Sequence, residues 1–302
     1  MSKKMRGNLM LTLTAFIWGV AFVAQISGME HLGPFTFNFS RNVVAGIFLF
    51  GLIKAWPIIM KKPMEEETES GKRSTLIGGI ACGVALTIAM AFQQIGLSGP
   101  YATTAGKAGF ITALYIVLVP LTGIFIGKRV SIRIWLCVFV AAIGLYLLSI
   151  KQGFTIQIGD LLVLICAFFY TLHILVIDYF SPKSNGVKLS MIQFFVAAIL
   201  SGIVMLFTEQ ISWSAIVSGA IPILYAGIFS SGVGYTFQII AQKDTNPTMA
   251  SLIMSLESVF AVLAGAVILG ERLSLREGIG CIIMFVAIIL AQLPEKKQKQ
   301  EG

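Results

Sequence analysis

NPTMASLIMSLESVFAVLAGAVILGERLSLRE, running from Asn246 to Glu277, is the stretch whose reading decides the fold. Between Asp244 and Glu271 stand 26 residues with a single charge, Glu257, close to the centre. A helix of that length crosses a bilayer with room for some tilt. A carboxylate in the middle of such a helix costs roughly a few kcal/mol to insert, which marks Glu257 as a candidate functional group. Gly270 closes the run, and Ser274 followed three residues later by Glu277 has the form of a capping box. The stretch therefore predicts a membrane span with a buried acid, a tight corner and the start of another helix.

The rest of the chain is of the same kind. Of its 302 residues, 57% are hydrophobic and 12% charged, against about 25% charged in soluble domains, and the mean hydropathy is +0.88. An integral membrane protein follows, with the lipid bilayer as its surroundings. A net charge of +8 would suggest nucleic acid in a soluble chain, but here the positions of the basic residues explain it, and no nucleic-acid partner is expected. Cys82, Cys137, Cys166 and Cys281 lie in apolar runs without metal-ligand spacing and are expected as packing residues, with no metal site. Lys3, Lys4 and Arg6 precede a first apolar run too long for a signal peptide and followed by nine more spans, so it is expected as an uncleaved helix.

Ten spans are predicted: 9–29, 34–54, 74–95, 101–126, 131–150, 159–179, 188–207, 219–241, 247–269 and 274–293. Breaks fall at turn formers such as Gly33-Pro34, Ser98-Gly99-Pro100, Ser181-Pro182 and Asn246-Pro247. No alternating strand pattern is present, which excludes a transmembrane barrel. Placing both termini inside puts seventeen Lys and Arg in inner segments and three in outer loops, a strong positive-inside bias. The expectation is a multi-pass protein of the cell (plasma) membrane with both termini cytoplasmic. The polar segment from Pro57 to Arg73 is expected as a solvated connector.

The two halves resemble each other. At an offset of 152, Gly7, Leu9, Ala15 and Phe16 match Gly159, Leu161, Ala167 and Phe168, with Trp18 opposite Tyr170. At 145, Phe92-Gln93 match Phe237-Gln238; at 143, Gly127, Arg129, Ser131 and Arg133 match Gly270, Arg272, Ser274 and Arg276. Five spans per half is an odd number, so residues 153–302 must lie inverted relative to residues 1–152. The fold class expected is an all-α integral membrane protein of ten transmembrane helices in two inverted five-helix repeats, with the loop 55–73 inside the first. Inverted repeats are a transporter architecture.

The stretches AFIWGVAFV (Ala15–Val23), TTAGKAGFITALYIVLVPL (Thr103–Leu121), GKRVS (Gly127–Ser131) and LESVFAVLAGAVILGERLS (Leu256–Ser274) resemble the drug/metabolite transporter superfamily, and within it the EamA-type ten-helix permeases. The resemblance covers nearly all ten spans. It implies efflux or exchange of small metabolites, often amino acids, without ATP. Ser258 stands where the family pattern often has proline, which leads one to expect a straighter helix there.

Polar side chains inside spans are few, and each is a candidate for substrate binding. Glu257 is a partner for a substrate ammonium or a proton, weighed against a structural acid. Lys107, roughly 10 Å outward of the midplane, is a snorkelling lysine, an anion site or one side of an ion pair between repeats. Arg41 lies at similar depth, with Gln193 as its repeat counterpart; snorkelling or a structural hydrogen bond competes with substrate contact. His173, roughly 5 Å inward of the midplane, is a candidate proton-relay partner of Glu257. Trp18, Tyr170 and Tyr235 are candidates for an aromatic wall, against packing or lipid contact, and Gln25, Gln93, Gln94 and Gln238 for neutral hydrogen bonding. Gln93 and Gln238 are repeat-related and are expected to face the central axis.

The expected activity is secondary transport of a small molecule, with protons a candidate coupling ion and no cofactor. The chain carries no GxxxxGK[ST] loop, which excludes built-in ATP coupling. A membrane enzyme on a lipid-linked substrate would need clustered carboxylates or a His or Ser nucleophile near an interface, and the intramembrane acids are isolated; a channel or a non-transporting membrane protein is the other alternative. A single chain holding both repeats can work as a monomer or as a homodimer.

Overall fold

The computed structural model describes residues 1–99, 102–103, 105–150, 156–268 and 274–293. Pro100, Lys151, most of the GERLS corner (Gly270–Leu273) and the lysines 296, 297 and 299 lie outside the described residues. Ten helices are long and apolar enough to cross a membrane. In chain order they are α1 (Lys3–Met29), α2 (Pro34–Met60), α3 (Glu69–Gly96), α4 (Lys107–Phe125), α5 (Ile132–Ser149), α6 (Ile158–Lys183), α7 (Gly186–Thr208), α8 (Ala220–Ala241), α9 (Pro247–Ile268) and α10 (Leu275–Gln292). Large apolar side chains such as Phe125, Phe207, Ile221 and Val267 point outward and are more than 80% exposed, as lipid-facing residues are.

The caps fall where the sequence places them. Ser274 and Glu277 form the reciprocal capping box that opens α10, and Asn246 accepts from the Met249 amide ahead of Pro247 to open α9. Pro34 takes the first position of α2, where its missing N–H is no loss. The polar connector is shorter than expected. α2 runs on to Met60 through Pro57, and α3 starts at Glu69 with Thr68 as its cap, because a helix ends at its capping residues and not at the edge of its apolar run.

The packing has the symmetry of an inverted repeat. α1 packs on α8 and α9, and α6 on α3 and α4; α2 packs on α7 and α8, and α7 on α2 and α3; α5 packs on α10. Adding five to each helix number, modulo ten, returns the same set, with α2–α7 and α5–α10 mapping onto themselves. Small residues set the crossings. A Cβ at Gly7 would lie 3.3 Å from the Ala241 carbonyl, and one at Gly96 2.9 Å from that of Gly159; Gly7 and Gly159, and likewise Gly96 and Ala241, are repeat mates. At the α5–α10 crossing, Gly144 and Gly280 would each carry a Cβ within 3 Å of the other's carbonyl oxygen.

Asn8 donates to Gln292 (3.1 Å), so the start of α1 and the end of α10 lie on one face of the bundle, hereafter the terminal face. Two loop acids bind the repeats to each other on opposite faces. On the far face Glu209, after α7, accepts from the Phe35 and Thr36 amides and from the Thr36 hydroxyl at the start of α2 (2.8, 2.8 and 2.6 Å). On the terminal face Glu67, before α3, accepts from the Asn185 amide (3.1 Å), the Lys188 ammonium (2.9 Å) and the Thr75 hydroxyl at the start of α7 and within α3. Each carboxylate thus neutralises the partial positive end of a helix from the other repeat.

Three helices depart from regular α geometry, all near mid-bundle. α4 is interrupted at Leu114 and α9 at Ser255–Leu256, each by i to i+3 bonds (Leu114 to Ile111; Leu256 to Ile253 and Ser258 to Ser255). The interruption of α9 forms without the proline, contrary to the straighter helix expected from Ser258. In α8, residues Tyr225–Tyr235 are wound as a π-helix, a rare form frequent at functional sites.

Candidate functional site

Where these irregular segments meet, the bundle holds a narrow, partly open cavity of about 40 Å³. Its walls come from seven of the ten helices: Trp18, Ala21, Phe22 and Gln25 of α1, Arg41 of α2, Gln93 of α3, Thr112 and Tyr115 of α4, Tyr170 of α6, Ser230 and Tyr235 of α8, and Glu257 of α9. α5, α7 and α10 contribute none of these. Gln25, Arg41 and Gln93 lie toward the far-face ends of their helices, so the cavity extends from mid-bundle toward that face.

The interrupted helices aim two side chains at one another. Tyr115 and Glu257 each stand just after the break in their helix, and the Tyr115 hydroxyl donates to Glu257 Oε1 at 3.0 Å. Glu257 is 4% exposed and has no cationic partner among the described residues. Arg41 is 3% exposed and likewise lacks an acid. Its guanidinium has only the Met90 sulfur at 3.5 Å and the Phe37 ring at 5.9 Å, and its Nε is without a hydrogen-bond partner. A buried ion left without a counter-charge is unfavourable by several kcal/mol, a penalty that a ligand of opposite charge removes.

Between these charges lies a neutral network. Tyr235 donates to the Tyr170 hydroxyl (3.4 Å), Tyr170 to Gln93 Oε1 (3.4 Å), and Gln93 Nε2 to the Thr112 hydroxyl (3.1 Å). Trp18 stacks at a tilt on Tyr235, with ring centroids 4.5 Å apart. The π-winding of α8 offers backbone acceptors to α1: Trp18 Nε1 donates to the Ser230 carbonyl and the Thr14 hydroxyl to that of Gly234, both at 3.1 Å. Gly234 permits this approach, since a Cβ there would sit 2.7 Å from Trp18 Nε1.

Of the residues singled out in the sequence, the cavity gathers Trp18, Arg41, Gln93, Tyr170, Tyr235, Glu257 and the secondary candidate Gln25. Four others lie elsewhere, among them Gln94, which is buried but does not line the cavity. The Lys107 ammonium is 2.6 Å from Asp160 Oδ2 at the start of α6, so it makes an ion pair between the repeats instead of lining the cavity. His173 is hydrogen-bonded through Nε2 to Gln193 (3.0 Å) instead of pairing with Glu257, which accepts from Tyr115. Gln238 donates to Gln242 (3.0 Å) beneath the cavity, on the terminal-face side. Tyr115, Thr112, Phe22, Ala21 and Ser230 are lining residues that the sequence did not reveal. A neutral side chain in an apolar run carries no mark of which way it faces, although the repeat mate of Glu257, Leu114, directly precedes Tyr115.

Comparison with known proteins agrees with this architecture. The pattern of the EamA-like transporter family fits the chain twice, over residues 5–150 and residues 157–293. An uncharacterized transporter of Archaeoglobus fulgidus is 32% identical over 295 residues, covering 96% of this chain and 87% of that protein. A chloroplastic WAT1-related protein of Arabidopsis thaliana is 23% identical over 93% of this chain and 68% of its own length. A solved crystal structure shares the fold with a TM-score of 0.76 at 16% identity, over 95% of this chain and 96% of the other. With its ten helices and its twofold match, the chain belongs to the EamA-like transporter family.

Proposed function

We propose that the chain is a secondary transporter that exports or exchanges small zwitterionic metabolites, amino acids among them, by alternating access. The observation that carries this reading is a buried guanidinium, Arg41, and a buried carboxyl, Glu257, on one cavity with no ion-pair partner for either among the described residues. Arg41 receives a carboxylate through its planar fork, and Glu257 receives an ammonium. Trp18, Tyr170 and Tyr235 cover the apolar part of the substrate, while Gln93 and Gln25 supply neutral hydrogen bonds. A carboxyl that holds either a proton or the substrate ammonium couples the two, so proton exchange is the driving reaction to test first. The basic terminal face is the cytoplasmic side of the plasma membrane, with the repeats dividing near residue 152.

Counterflow in proteoliposomes tests this directly, with a panel of amino acids, sugars and organic cations, with and without a pH gradient. Saturable accumulation of amino acids is expected. Losing a charged contact of about 1.5–3 kcal/mol predicts that Glu257→Gln slows counterflow by about tenfold to a hundredfold while leaving folded protein in the membrane. No accumulation by folded wild type, or an unimpaired Glu257→Gln, would overturn the assignment; unsaturable flux would indicate a channel.

A further inference from the structure

A second concavity opens on the terminal face, and it shares no lining residue with the substrate cavity. It is a cleft of about 810 Å³, where the ends of α1, α5, α6, α9 and α10 meet the loop between α4 and α5. Lys4, Lys128, Arg129 and Arg133 line it with a single acid, Asp178, which pairs with Lys128. Its side chains therefore carry a net of three positive charges. Arg133 Nη2 is tied to the Leu293 carbonyl (2.8 Å), whereas Lys4 and Arg129 have no acidic partner among the described residues. A basic bias belongs to this whole face. Lys54 and Lys61, at the terminal-face end of α2, are also exposed but do not line the cleft.

The repeat-related corner on the other face shows what is particular here. At the offset of 143, Lys128 corresponds to Glu271 and Ile134 to Glu277. Glu277 is the carboxylate that caps α10, reciprocally with Ser274. α5 lacks this acid: Ile134 stands in its place on the cleft wall, and Ser131 makes no side-chain capping bond to α5. The partial positive end of α5 thus borders the cleft without the anion that its mate carries in its own sequence. The start of α9, Asn246–Met249, borders it too.

We propose that this cleft binds the phosphate headgroup of an anionic lipid from the terminal-face leaflet. Lys4, Arg129 and Arg133 hold the phosphate oxygens, Arg133 and Arg129 through the donors of their planar forks, and the start of α5 adds its backbone N–H groups. The surroundings favour a lipid over a soluble phosphate. Ile134 and Leu293 are part of the cleft wall, and Phe125, Ile126 and Ile132, next to the basic loop in the chain, are exposed apolar side chains against which acyl chains can lie. Basic pockets between membrane helices at a leaflet surface suit acidic headgroups for the same reasons.

The test is lipid binding to the full-length protein, purified in detergent and stripped of lipid, followed by native mass spectrometry. The probes are dioleoylphosphatidylglycerol and dioleoylphosphatidylcholine, and the first is expected to be retained more tightly. Each basic residue at a headgroup is worth about fivefold in affinity, so Lys4→Gln combined with Arg129→Gln should weaken phosphatidylglycerol binding by about thirtyfold. Both residues are exposed, so their replacement leaves the packing intact. Lys54→Gln combined with Lys61→Gln removes the same charge from the same face and should change binding by less than about twofold. Equal losses in the two double variants would reduce the effect to the general charge of the face and overturn the site, as would equal retention of the two lipids. Loss of phosphatidylglycerol binding in excess inorganic phosphate, at matched ionic strength, would reassign the cleft to a soluble phosphate and overturn the lipid. The unfolding midpoint gives a second readout: phosphatidylglycerol should raise it in wild type and not in the Lys4 and Arg129 double variant. An equal rise in both would count against the cleft.

Discussion

Replacing Arg41 by methionine should make the protein more stable and unable to transport. The side chain is 3% exposed, its cation faces only a thioether sulfur and a phenyl ring, and Nε is without a partner. The Phe37 contact is worth about 0.5–2 kcal/mol. Against it stands the effective penalty of burying an ion, several kcal/mol, with no counter-charge to offset it. Methionine keeps the length and the packing against Met90 and Phe37 and removes the charge. The balance favours the variant by about 1–3 kcal/mol, within the range seen when buried ions are replaced by apolar residues. Substrate binding should move the other way: loss of a charge-assisted contact of about 3 kcal/mol weakens it about a hundredfold. Thermal unfolding in detergent, with counterflow measured on the same preparation, reads both quantities. A lower midpoint together with normal transport would refute the reasoning at both ends, because Arg41 would then be a structural cation with a partner of its own.

Two further predictions concern the scaffold. Gly280→Val places a Cβ 2.7 Å from the Gly144 carbonyl oxygen and the Leu148 nitrogen, both backbone atoms, and should destabilise by about 1–3 kcal/mol or more, whereas Gly278→Ala meets nothing within 4 Å and should not; equal unfolding midpoints for the two variants would remove the α5–α10 crossing as a constraint. Burial acts to raise the Glu67 carboxyl, but hydrogen bonds from Lys188, Thr75 and the Asn185 amide outweigh it and hold the group below its usual value of 4.5. Its stabilisation is therefore complete above that value and lost as the pH falls below it. The midpoint difference between wild type and Glu67→Gln should be largest at neutral pH and shrink in acid; a difference that grows in acid would contradict the assignment.

The ten crossings, the capping box at Ser274 and the breaks at Gly33-Pro34 and Asn246-Pro247 were legible because hydropathy, capping and turn formation are local properties of the chain. The offsets at 152, 145 and 143 also anticipated the exchange symmetry of the helix pairs. Azimuth was not legible. Depth along a helix placed Lys107 and Arg41 at similar levels, yet rotation about the axis sends one to Asp160 and the other into the cavity. The interruptions at Leu114 and Ser255–Leu256 have no glycine or proline within four residues on either side, so tertiary packing decides there between α and tighter winding. Glu67 looked like one of several solvated acids because its partners, Asn185 and Lys188, lie more than a hundred residues away.

The interleaved packing bears on how the protein is made. Its closest helix pairings, α3 with α6, α5 with α10 and α2 with α7, all join one half of the chain to the other. The first five helices can enter the bilayer one after another, but most of their partners arrive only when the second half has been synthesised. Until then Arg41 has no cavity around it, and the start of α2 lacks the carboxylate of Glu209. A ribosome stalled near residue 152 thus leaves a set of inserted spans with few contacts among themselves, open to membrane quality control. The two halves expressed as separate polypeptides would find each other through the same surfaces, since these lie on the helices themselves.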